Sequence, residues 1–362
     1  MSKIISIGTA VPAYRHQQSE ILGFMQNVFA MNPVEKRKLS FLYHQSGIDT
    51  RYSVLPDYST AISNWQFYPQ TENLDPFPSL EKRMQAFTKN AAPLSVDAIR
   101  KCINNTGSDQ EITHLITVSC TGMSAPGLDL QVMELLNLRP DIYRTSVNFM
   151  GCYAAIHALK MADAICKNDV SAKVMIVCTE LCTLHFQRES SLNSITSSLL
   201  FADGSAAVLV THDSFQHKGL HIDGFYSEVI SKGKNDMSWE LSSTGFLMTL
   251  SGYVPELIEE DFNSLVNKAA SQAGITRDQI NHWCIHPGGK RILDAIGHSL
   301  EFSNNELAAS YSTLREYGNM SSPTILFVLE KIMNTLQSGD KTFGAAFGPG
   351  LTMETFVASA HA

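Results

Sequence analysis

The chain has 362 residues, of which 44% are hydrophobic and 17% are charged. This composition is typical of a folded protein with two domains or one large duplicated unit, and it excludes a disordered tail, a collagen and a coiled coil. The 27 Lys and Arg against 35 Asp and Glu give a formal net charge of −8, and no basic block could follow a nucleic-acid backbone. No apolar run reaches the roughly 18 residues that cross a bilayer, and no signal-peptide cleavage site is recognisable, so we expect a cytoplasmic protein.

Short apolar runs alternate along the chain with helical patterns, which predicts an α/β organisation. Strands are predicted at residues 114–120, 146–150, 174–179, 205–211, 282–286, 342–347 and 354–358. Helices are predicted at residues 153–167, from residue 290 onward and at residues 324–333. Residues 55–78 are rich in Pro, Asn, Ser and aromatic residues and are predicted to form an irregular surface segment.

The two halves of the chain show a similar order of predicted elements. In each half a strand is followed by a possible reactive residue, Cys152 or His286, and then by a helix and a glycine-containing apolar run. The turn-rich residues 212–219 would separate an N-terminal half, residues 1–213, from a C-terminal half, residues 214–362. Such a duplication would bring the two reactive residues to matching strand ends that face one another across a pseudo-twofold axis.

Cysteine is the first residue type that could carry chemistry. The seven cysteines, at positions 102, 120, 152, 166, 178, 182 and 284, are an odd number, and we expect free thiols that are mostly buried packing residues. Cys152 differs because it follows a predicted strand and Gly151 and opens a helix, where the macrodipole and unpaired N–H groups favour a thiolate. A nucleophile and a core cysteine at a tight turn both remain open for this position.

His286 is the second candidate, at the end of the strand-like run HWCIH. Alternation places His282, Cys284 and His286 on one strand face, which raises the alternative of a metal site. The two histidines would lie about 13 Å apart at roughly 3.3 Å per residue, so the three side chains cannot share one ion. No stronger ligand spacing occurs, and no metal is predicted.

Asn319 is the third candidate, in the run YGNMSSP ahead of the helix at residues 324–333. Its side chain either caps that helix or donates an N–H to a developing oxyanion. The run FGPGL at residues 347–351 is either a plain loop or a rigid wall where the backbone approaches a substrate. No nucleophile elbow, phosphate-binding loop or dinucleotide fingerprint occurs, so hydrolases, nucleoside triphosphatases and dinucleotide enzymes lack their key parts.

Five stretches, taken together, resemble the type III polyketide synthases, the chalcone synthase-like family. They are GCYAAIHALKMA (151–162), LLFADGSAAVLV (199–210), CIHPGGKRILDAI (284–296), YGNMSSPTILFVLE (317–330) and FGPGLTMETF (347–356). The resemblance runs in order from Ile5 to Val357. It implies a thiolase fold of five αβαβα layers built from two duplicated halves, a homodimer with one active site per subunit, acyl-CoA and malonyl-CoA as substrates, and no cofactor.

The resemblance also implies residue roles. Cys152 would be the nucleophile, His286 the imidazolium that holds it as a thiolate, and Asn319 an oxyanion donor, while Phe201 matches an aromatic gatekeeper between the CoA tunnel and the reaction cavity. Further cavity positions are Cys120, Thr121, Cys182, His185, Ser197, Met248 and Ser321, and the positions expected to bind CoA are Arg51, Gly288 and Gly289.

The chain departs from the plant members of the family at several cavity positions, including Cys120 and Thr121, where plant members have Thr and Ser. Ala125 stands where plant members extend a Met into the partner subunit's cavity, and Met248 replaces an aromatic second gatekeeper. Residues 237–257 look instead like bacterial members, several of which make alkylpyrones or alkylresorcinols from fatty acyl starters. A flexible Met248 would admit an alkyl chain, although a plain core methionine fits the sequence equally well.

The expected activity is that of an acyltransferase. An acyl starter would be loaded on Cys152, extended by decarboxylative Claisen condensation with malonyl-CoA, and cyclised to a pyrone, a resorcinol or a related product. Two alternatives stay open: an enzyme like ketoacyl-ACP synthase III, which performs one condensation on carrier-bound malonate, and a non-catalytic thiolase-fold scaffold. The starter, the number of extensions and the mode of ring closure depend on cavity volume, which the sequence does not specify.

Overall fold

The computed structural model of the protein describes residues 1–29, 31–71, 73–104, 106–189, 192–303 and 305–361, except for the side chains of residues 192 and 193. The strands are β1 (Ser2–Ala10), β2 (Tyr14–Gln17), β3 (Thr50–Ser53), β4 (His114–Ser119), β5 (Tyr143–Asn148), β6 (Lys173–Leu181), β7 (Asp203–His212), β8 (Leu220–Val229), β9 (Met237–Ser242), β10 (Gly245–Leu250), β11 (His282–Ile285), β12 (Lys341–Gly348) and β13 (Thr352–Ala360). The α-helices are α1 (Gln18–Val28), α2 (Pro33–Gln45), α3 (Leu80–Ile103), α4 (Leu128–Leu135), α5 (Ala154–Asn168), α6 (Leu192–Leu200), α7 (Val254–Gln272), α8 (Lys290–Ser299), α9 (Ala308–Tyr317) and α10 (Thr324–Met333).

One mixed sheet runs through the molecule in the strand order β11-β12-β13-β8-β1-β7-β6-β4-β5. In the N-terminal half, β1 pairs antiparallel with β7, β7 antiparallel with β6, and β6 parallel with β4. In the C-terminal half, β8, β13, β12 and β11 repeat the same three kinds of pairing in the same order. Only a short antiparallel contact, Lys3 with His221 and Ile4 with Leu220, joins β1 to β8. The sheet is therefore two similar halves placed edge to edge.

Two buried helices, α5 and α10, form the central layer. Both pack against strands of the N-terminal half, and they also contact β13 and β11, respectively, in the C-terminal half. Residues 324–329 of α10 are all buried, as expected of a helix that is apolar on every side. Helix α3 covers the opposite face of β1, β6 and β7, and α7 covers β8 and β13 with α8 beside it. Because α5 and α10 contact both halves of the sheet, the halves enclose these helices between them, and the order of layers is helix, sheet, helix, sheet, helix.

The sequence patterns predict many elements of this fold correctly. All seven predicted strands are present, and the helix predicted at residues 324–333 is α10. Strands β1 and β8 and the β9–β10 hairpin were not predicted. In β8 and β9 few residues are fully buried, so neither strand shows a strict alternation of apolar and polar residues. No helix in the described ranges is long and apolar enough to span a membrane.

The segment 55–78, of which residue 72 lies outside the described residues, is irregular as predicted, but only part of it lies at the surface. The carboxylate of Asp57 is fully buried and accepts the backbone N–H groups of residues 66, 67 and 68. Around it, the rings of Tyr58, Trp65 and Tyr68 pack with Phe24 of α1. One buried acceptor and an aromatic cluster hold the segment without regular secondary structure.

The duplication relates different residues from those that the sequence predicted. Because β11 is the counterpart of β4, His286 after β11 corresponds to Cys120 after β4. Cys152 precedes α5, and the residue that precedes α10 in the equivalent place is Asn319. The predicted match between Cys152 and His286 is therefore wrong, and the two helices of the central layer carry Cys152 and Asn319 ahead of their N-termini.

Candidate active site

Cys152 lies in a single turn of 3-10 helix, Gly151–Tyr153, between the end of β5 and the start of α5. The turn requires glycine at position 151, where φ is 76° and a Cβ atom would lie 2.2 Å from the Cδ atom of Pro349. Pro349 belongs to the run FGPGL, so that run forms a rigid wall against the turn. The wall leaves the Cys152 side chain 7% exposed at the N-terminus of a buried helix.

His286 and Asn319 are both buried, and neighbouring backbone holds each of them. The backbone N–H of His286 donates to the carbonyl of Ala345 on β12 at 2.8 Å. Asn319 is fixed on both sides of its backbone: its N–H donates to the carbonyl of Leu200, and its carbonyl accepts from Ala202, each at 2.9 Å. These contacts attach both residues to strand-like backbone, which limits their movement.

The side chain of Asn319 is not a helix cap, because the N-cap position of α10 is Pro323. Its Oδ1 accepts the N–H of Ser321 at 2.8 Å, and its Nδ2 donates to the carbonyl of Gly288 at 3.2 Å. Ser321 has a φ of 62°, which is rare for a residue with a side chain, and its hydroxyl accepts a hydrogen bond from the Cys152 thiol at 3.5 Å. One N–H of the Asn319 amide therefore remains for another acceptor.

Cys152, His286 and Asn319 line one buried cavity of about 20 Å³, hereafter the catalytic cavity. Neither ring nitrogen of His286 has a hydrogen-bond partner among the described residues, although both nitrogens are fully buried. Burying a nitrogen without a hydrogen-bond partner costs free energy, and such a nitrogen is typical of a group that binds a ligand. The structure thus brings together the three candidate residues identified in the sequence, which lie far apart along the chain.

Burial affects the charge state that Cys152 and His286 prefer. Burial raises the pKa of the Cys152 thiol to about 11, against an opposing hydrogen bond to Ser321. Burial also lowers the pKa of His286 to about 3. Burial therefore disfavours the charged form of both side chains and opposes the thiolate and imidazolium predicted from the sequence.

The catalytic cavity is one of a series of connected spaces. Toward the surface it shares Leu250, Gly288 and Ile292 with an open groove of about 360 Å³. Inward it adjoins a second cavity of about 20 Å³ and then a pocket of about 60 Å³. Phe201 and Met248 line all three inner spaces, so these two side chains are the partition between them.

Comparison with known proteins decides the family. Residues 1–214 match the family model for the N-terminal domain of chalcone and stilbene synthases, and residues 223–361 match the model for their C-terminal domain. The chain belongs to the chalcone and stilbene synthase family. Its members are acyltransferases, and their homologues are named type III polyketide synthases.

Sequence relatives come from distant organisms. The chain is 28% identical to type III polyketide synthase A of Arabidopsis thaliana, over 97% of this chain and 91% of that protein. It is also 28% identical to probable polyketide synthase 1 of Dictyostelium discoideum, over 98% of this chain but only 11% of that much longer protein. The predicted likeness of residues 237–257 to bacterial members is not borne out by these relatives.

Solved structures show the same architecture. PKS-I from the brown alga Ectocarpus siliculosus superposes with a TM-score of 0.93 at 27% identity, over 99% of this chain and 98% of that one. The C-terminal type III polyketide synthase domain of Steely1, a type I/III hybrid from Dictyostelium, superposes with a TM-score of 0.92 at 26% identity, over 100% and 99% of the two chains. The chain therefore has the thiolase fold.

The other cavity residues of this family member lie along the series of spaces. Cys120, Thr121 and Ser321 line the second cavity, Cys182 lies between that cavity and the inner pocket, and His185 and Ser197 line the inner pocket. Gly288 and Gly289 line the groove. Ala125 is exposed beside a separate surface cavity, so it lines no part of its own chain's catalytic cavity.

Arg51 does not fit the predicted contact with a CoA phosphate. Its side chain is only 3% exposed, and its guanidinium donates to Gln18 and to the carbonyls of Ser198 and Phe201. Since these partners lie inside the protein, Arg51 braces the backbone that carries Phe201. Burial of the guanidinium lowers its pKa.

Sequence reasoning missed Glu180, which lies behind the catalytic cavity. Its fully buried carboxylate accepts from the backbone N–H of Cys120 at 2.9 Å, from the hydroxyl of Thr121 at 2.8 Å and from the hydroxyl of Ser322 at 2.9 Å. Burial raises its pKa to about 7. The carboxylate thus ties the end of β4 to the segment that holds Asn319. A lone acidic residue at the end of the apolar run KVMIVCTEL is the signal that could have revealed it.

The side chains of the three residues considered for a metal site have different surroundings. His282 bonds to Asp340 at 2.8 Å, Cys284 lies in the core against the carbonyl of Ile325, and His286 lines the catalytic cavity. No group of three potential ligands occurs within the described ranges of the chain.

Proposed function

We propose that this chain is a type III polyketide synthase that loads an acyl group from acyl-CoA onto Cys152, extends it with malonyl-CoA and releases a cyclised product such as a pyrone or a resorcinol. One observation carries the proposal: a thiol, an unpaired imidazole and a carboxamide line one buried cavity that opens on a surface groove. Such a set can bind a thioester carbonyl, exchange a proton with a thiol and exclude water.

In the loading step, the Sγ atom of Cys152 attacks the carbonyl carbon of the acyl-CoA. The thiol proton passes to a free ring nitrogen of His286, the carbon–sulfur bond to CoA breaks, and the CoA thiolate takes that proton as it leaves. A neutral imidazole suits this step because one nitrogen accepts a proton while the other can donate one. Because the proton moves while the sulfur attacks, neither buried side chain has to carry a charge before the reaction.

In the extension step, malonyl-CoA loses CO₂, and the electron pair of the broken carbon–carbon bond moves onto the thioester oxygen as an enolate. N–H groups of His286 and Asn319 stabilise that oxygen, and losing one such donor typically costs about 3 kcal/mol. The enolate carbon then attacks the acyl carbonyl on Cys152, and the Cys152 thiolate leaves. The apolar rings of Phe201 and Phe347 along the cavity keep water from the carbanion.

The groove is the proposed site of the CoA arm. Gly288 and Gly289 form part of its wall, and Lys290 and Arg291 lie at the same edge. Both cations take part in surface ion pairs, with Asp294 and Glu256. Because exposed ion pairs contribute little, a phosphate group can replace the carboxylates at small cost.

The test offers malonyl-CoA and malonyl carrier protein separately, with acyl-CoA starters from C2 to C18, and reads products by mass spectrometry. We expect extended, cyclised products with malonyl-CoA. Extension only from the carrier would instead support a ketoacyl-ACP synthase, and no turnover together with equal, slow labelling of Cys152 and the other thiols would support a scaffold. The lack of a cofactor and the cytoplasmic location stay predictions from the sequence.

We also propose that two copies associate through β5. This strand is an end of the nine-stranded sheet, and its first four residues are exposed, with Tyr143 71% accessible. Exposed apolar side chains nearby include Met123 and Leu135. An uncovered edge strand presents unpaired backbone N–H and C=O groups that can pair with another chain. Light scattering coupled to gel filtration should give twice the chain mass, and Tyr143→Asp should weaken the association; a monomer at micromolar concentration would contradict the proposal.

A further inference from the structure

Helix α2 presents an exposed side on which apolar and cationic side chains alternate. Val34, Arg37, Lys38 and Phe41 follow the spacing i, i+3, i+4 and i+7, so they lie on one side of the helix. All four are exposed, and Phe41 and Val34 are 64% and 51% accessible, respectively. The buried residues of α2 lie on the opposite side. Two large apolar side chains of α2 therefore remain in water after folding.

The exposed side of α2 adjoins the open groove that leads to the catalytic cavity. Phe41 lines this groove, whose wall is mainly apolar. Residues 252, 254 and 255 form part of the opposite wall, and the side chain of Tyr253, between them, is 73% exposed. Val34, Arg37, Lys38, Phe41 and Tyr253 are hereafter called the groove face. An exposed aromatic residue thus lies on each side of the groove.

The groove face carries local positive charge, although the net charge of the whole chain is −8. Within the described part of the chain, neither Arg37 nor Lys38 forms an ion pair or a side-chain hydrogen bond. The carboxylate of Glu35 accepts a backbone N–H at the start of α2 at 2.9 Å. Across the groove, the carboxylate of Glu256 pairs with Arg291 at 2.8 Å. The two cations of the groove face therefore remain available to an anionic partner.

This combination of side chains suits the surface of a lipid bilayer. Apolar and aromatic side chains enter the headgroup layer, and Lys and Arg beside them bind anionic lipids. An apolar surface with a polar rim is also typical of an interaction site. We propose that the groove face docks on an anionic lipid bilayer, with the groove open toward the lipid. An apolar compound can then pass between bilayer and groove without crossing water.

Two observations favour a lipid surface over a protein partner. Tyr253 has an apolar ring with a polar tip, and such side chains are favoured at the boundary between lipid and water. The apolar side chains come from two separate elements on either side of an open groove, and a deformable lipid layer can pack around both. Docking of this kind requires no turnover, so it is independent of the proposed function.

The experiment measures how the full-length protein sediments with vesicles of phosphatidylcholine alone or of phosphatidylcholine and phosphatidylserine in equal parts. We expect binding to the anionic vesicles, weaker binding to the neutral ones, and a loss of affinity as salt is added. The double variant Arg37→Gln/Lys38→Gln should bind anionic vesicles about 25-fold more weakly, at about fivefold per cation. Phe41→Ser and Tyr253→Ser should each lower the affinity by about tenfold, because less apolar surface leaves water.

Matched control variants lie on other surfaces. Lys89→Gln/Arg100→Gln removes two exposed cations from α3, and Val170→Ser removes an apolar side chain that is 66% exposed. Vesicle binding should be unchanged in both. Equal losses in the controls, or a folded wild type that does not bind anionic vesicles, would overturn the proposal and leave the proposed function intact.

Two further results would also overturn it. If Arg37→Gln/Lys38→Gln raised the KM for malonyl-CoA without changing vesicle binding, the two cations would bind CoA phosphate groups. If the protein bound an acyl carrier protein but no vesicles, the groove face would be the site of a protein partner.

Discussion

The catalytic cavity and the inner pocket of about 60 Å³ are separated by Phe201 and Met248, and the histidines that line them differ in their hydrogen bonds. In the catalytic cavity, neither buried nitrogen of His286 has a hydrogen-bond partner among the residues that the structure describes, and the thiol of Cys152 makes a long contact of 3.5 Å with the Ser321 hydroxyl. In the inner pocket, the imidazoles of His16 and His185 and the hydroxyl of Tyr58 bond to the surrounding protein. Unpaired buried groups cost stability, so the fold concentrates that cost where chemistry needs free donors and acceptors.

The largest effect should come from removing the nucleophile. Cys152→Ala should lower chain extension by at least about 1,000-fold, because no other group can carry the acyl chain. Part of the decarboxylation of malonyl-CoA should persist, since the enolate is stabilised by His286 and Asn319. Product mass spectrometry and CO₂ release measure the two reactions separately. Undiminished extension would remove Cys152 from the mechanism and the catalytic cavity from its role.

Asn319 should show the next largest effect, and two variants separate its two possible tasks. Asn319→Ala should slow decarboxylation by about 100- to 1,000-fold and affect starter loading less. Asn319→Asp keeps an acceptor for the N–H of Ser321 but has no N–H donor, so it should also be impaired. Wild-type decarboxylation by the Asp variant would show that Asn319 only positions Ser321.

The protonation state of the resting pair gives a smaller and graded effect. Because burial raises the pKa of Cys152 to about 11, its thiolate fraction is small at neutral pH. Labelling of the ligand-free enzyme by iodoacetamide should therefore rise roughly tenfold per pH unit from pH 6 to pH 9. Peptide mapping assigns the label, with Cys152→Ala as the blank. A labelling rate that is already constant above pH 7 would support the thiolate–imidazolium pair predicted from the sequence.

The smallest effect should appear on the other side of the partition. Tyr58→Phe removes a hydroxyl that bonds to the carbonyl of Thr183 and lies 3.0 Å from the hydroxyl of Tyr68. We expect the free energy of unfolding to fall by about 1 kcal/mol, as measured by urea denaturation. Loss of decarboxylation in the folded variant would show that the inner pocket is not separate from the chemistry.

Local sequence patterns were sufficient to predict several elements of the buried layers. Strands β4 and β6 and helix α10 are mostly apolar, so composition alone indicates burial. The β9–β10 hairpin is mostly half-buried and shows no such signal, yet it carries Met248. Arg51 was predicted to bind CoA, because a basic residue is usually exposed to solvent. Its hydrogen bonds to buried partners show instead that it has a structural role, and the sequence gives no sign of these contacts.

The residue types and their order along the chain were sufficient for the fold class, the family and the choice of positions 152, 286 and 319, because these depend on periodicity and on short motifs. Tertiary structure alone decided that Asn319, and not His286, is the counterpart of Cys152, that Glu180 lies behind the site, and that a mainly apolar pocket continues beyond Phe201. These features arise from contacts between segments far apart in the chain, whose separations and burial set both the free space and the charge states.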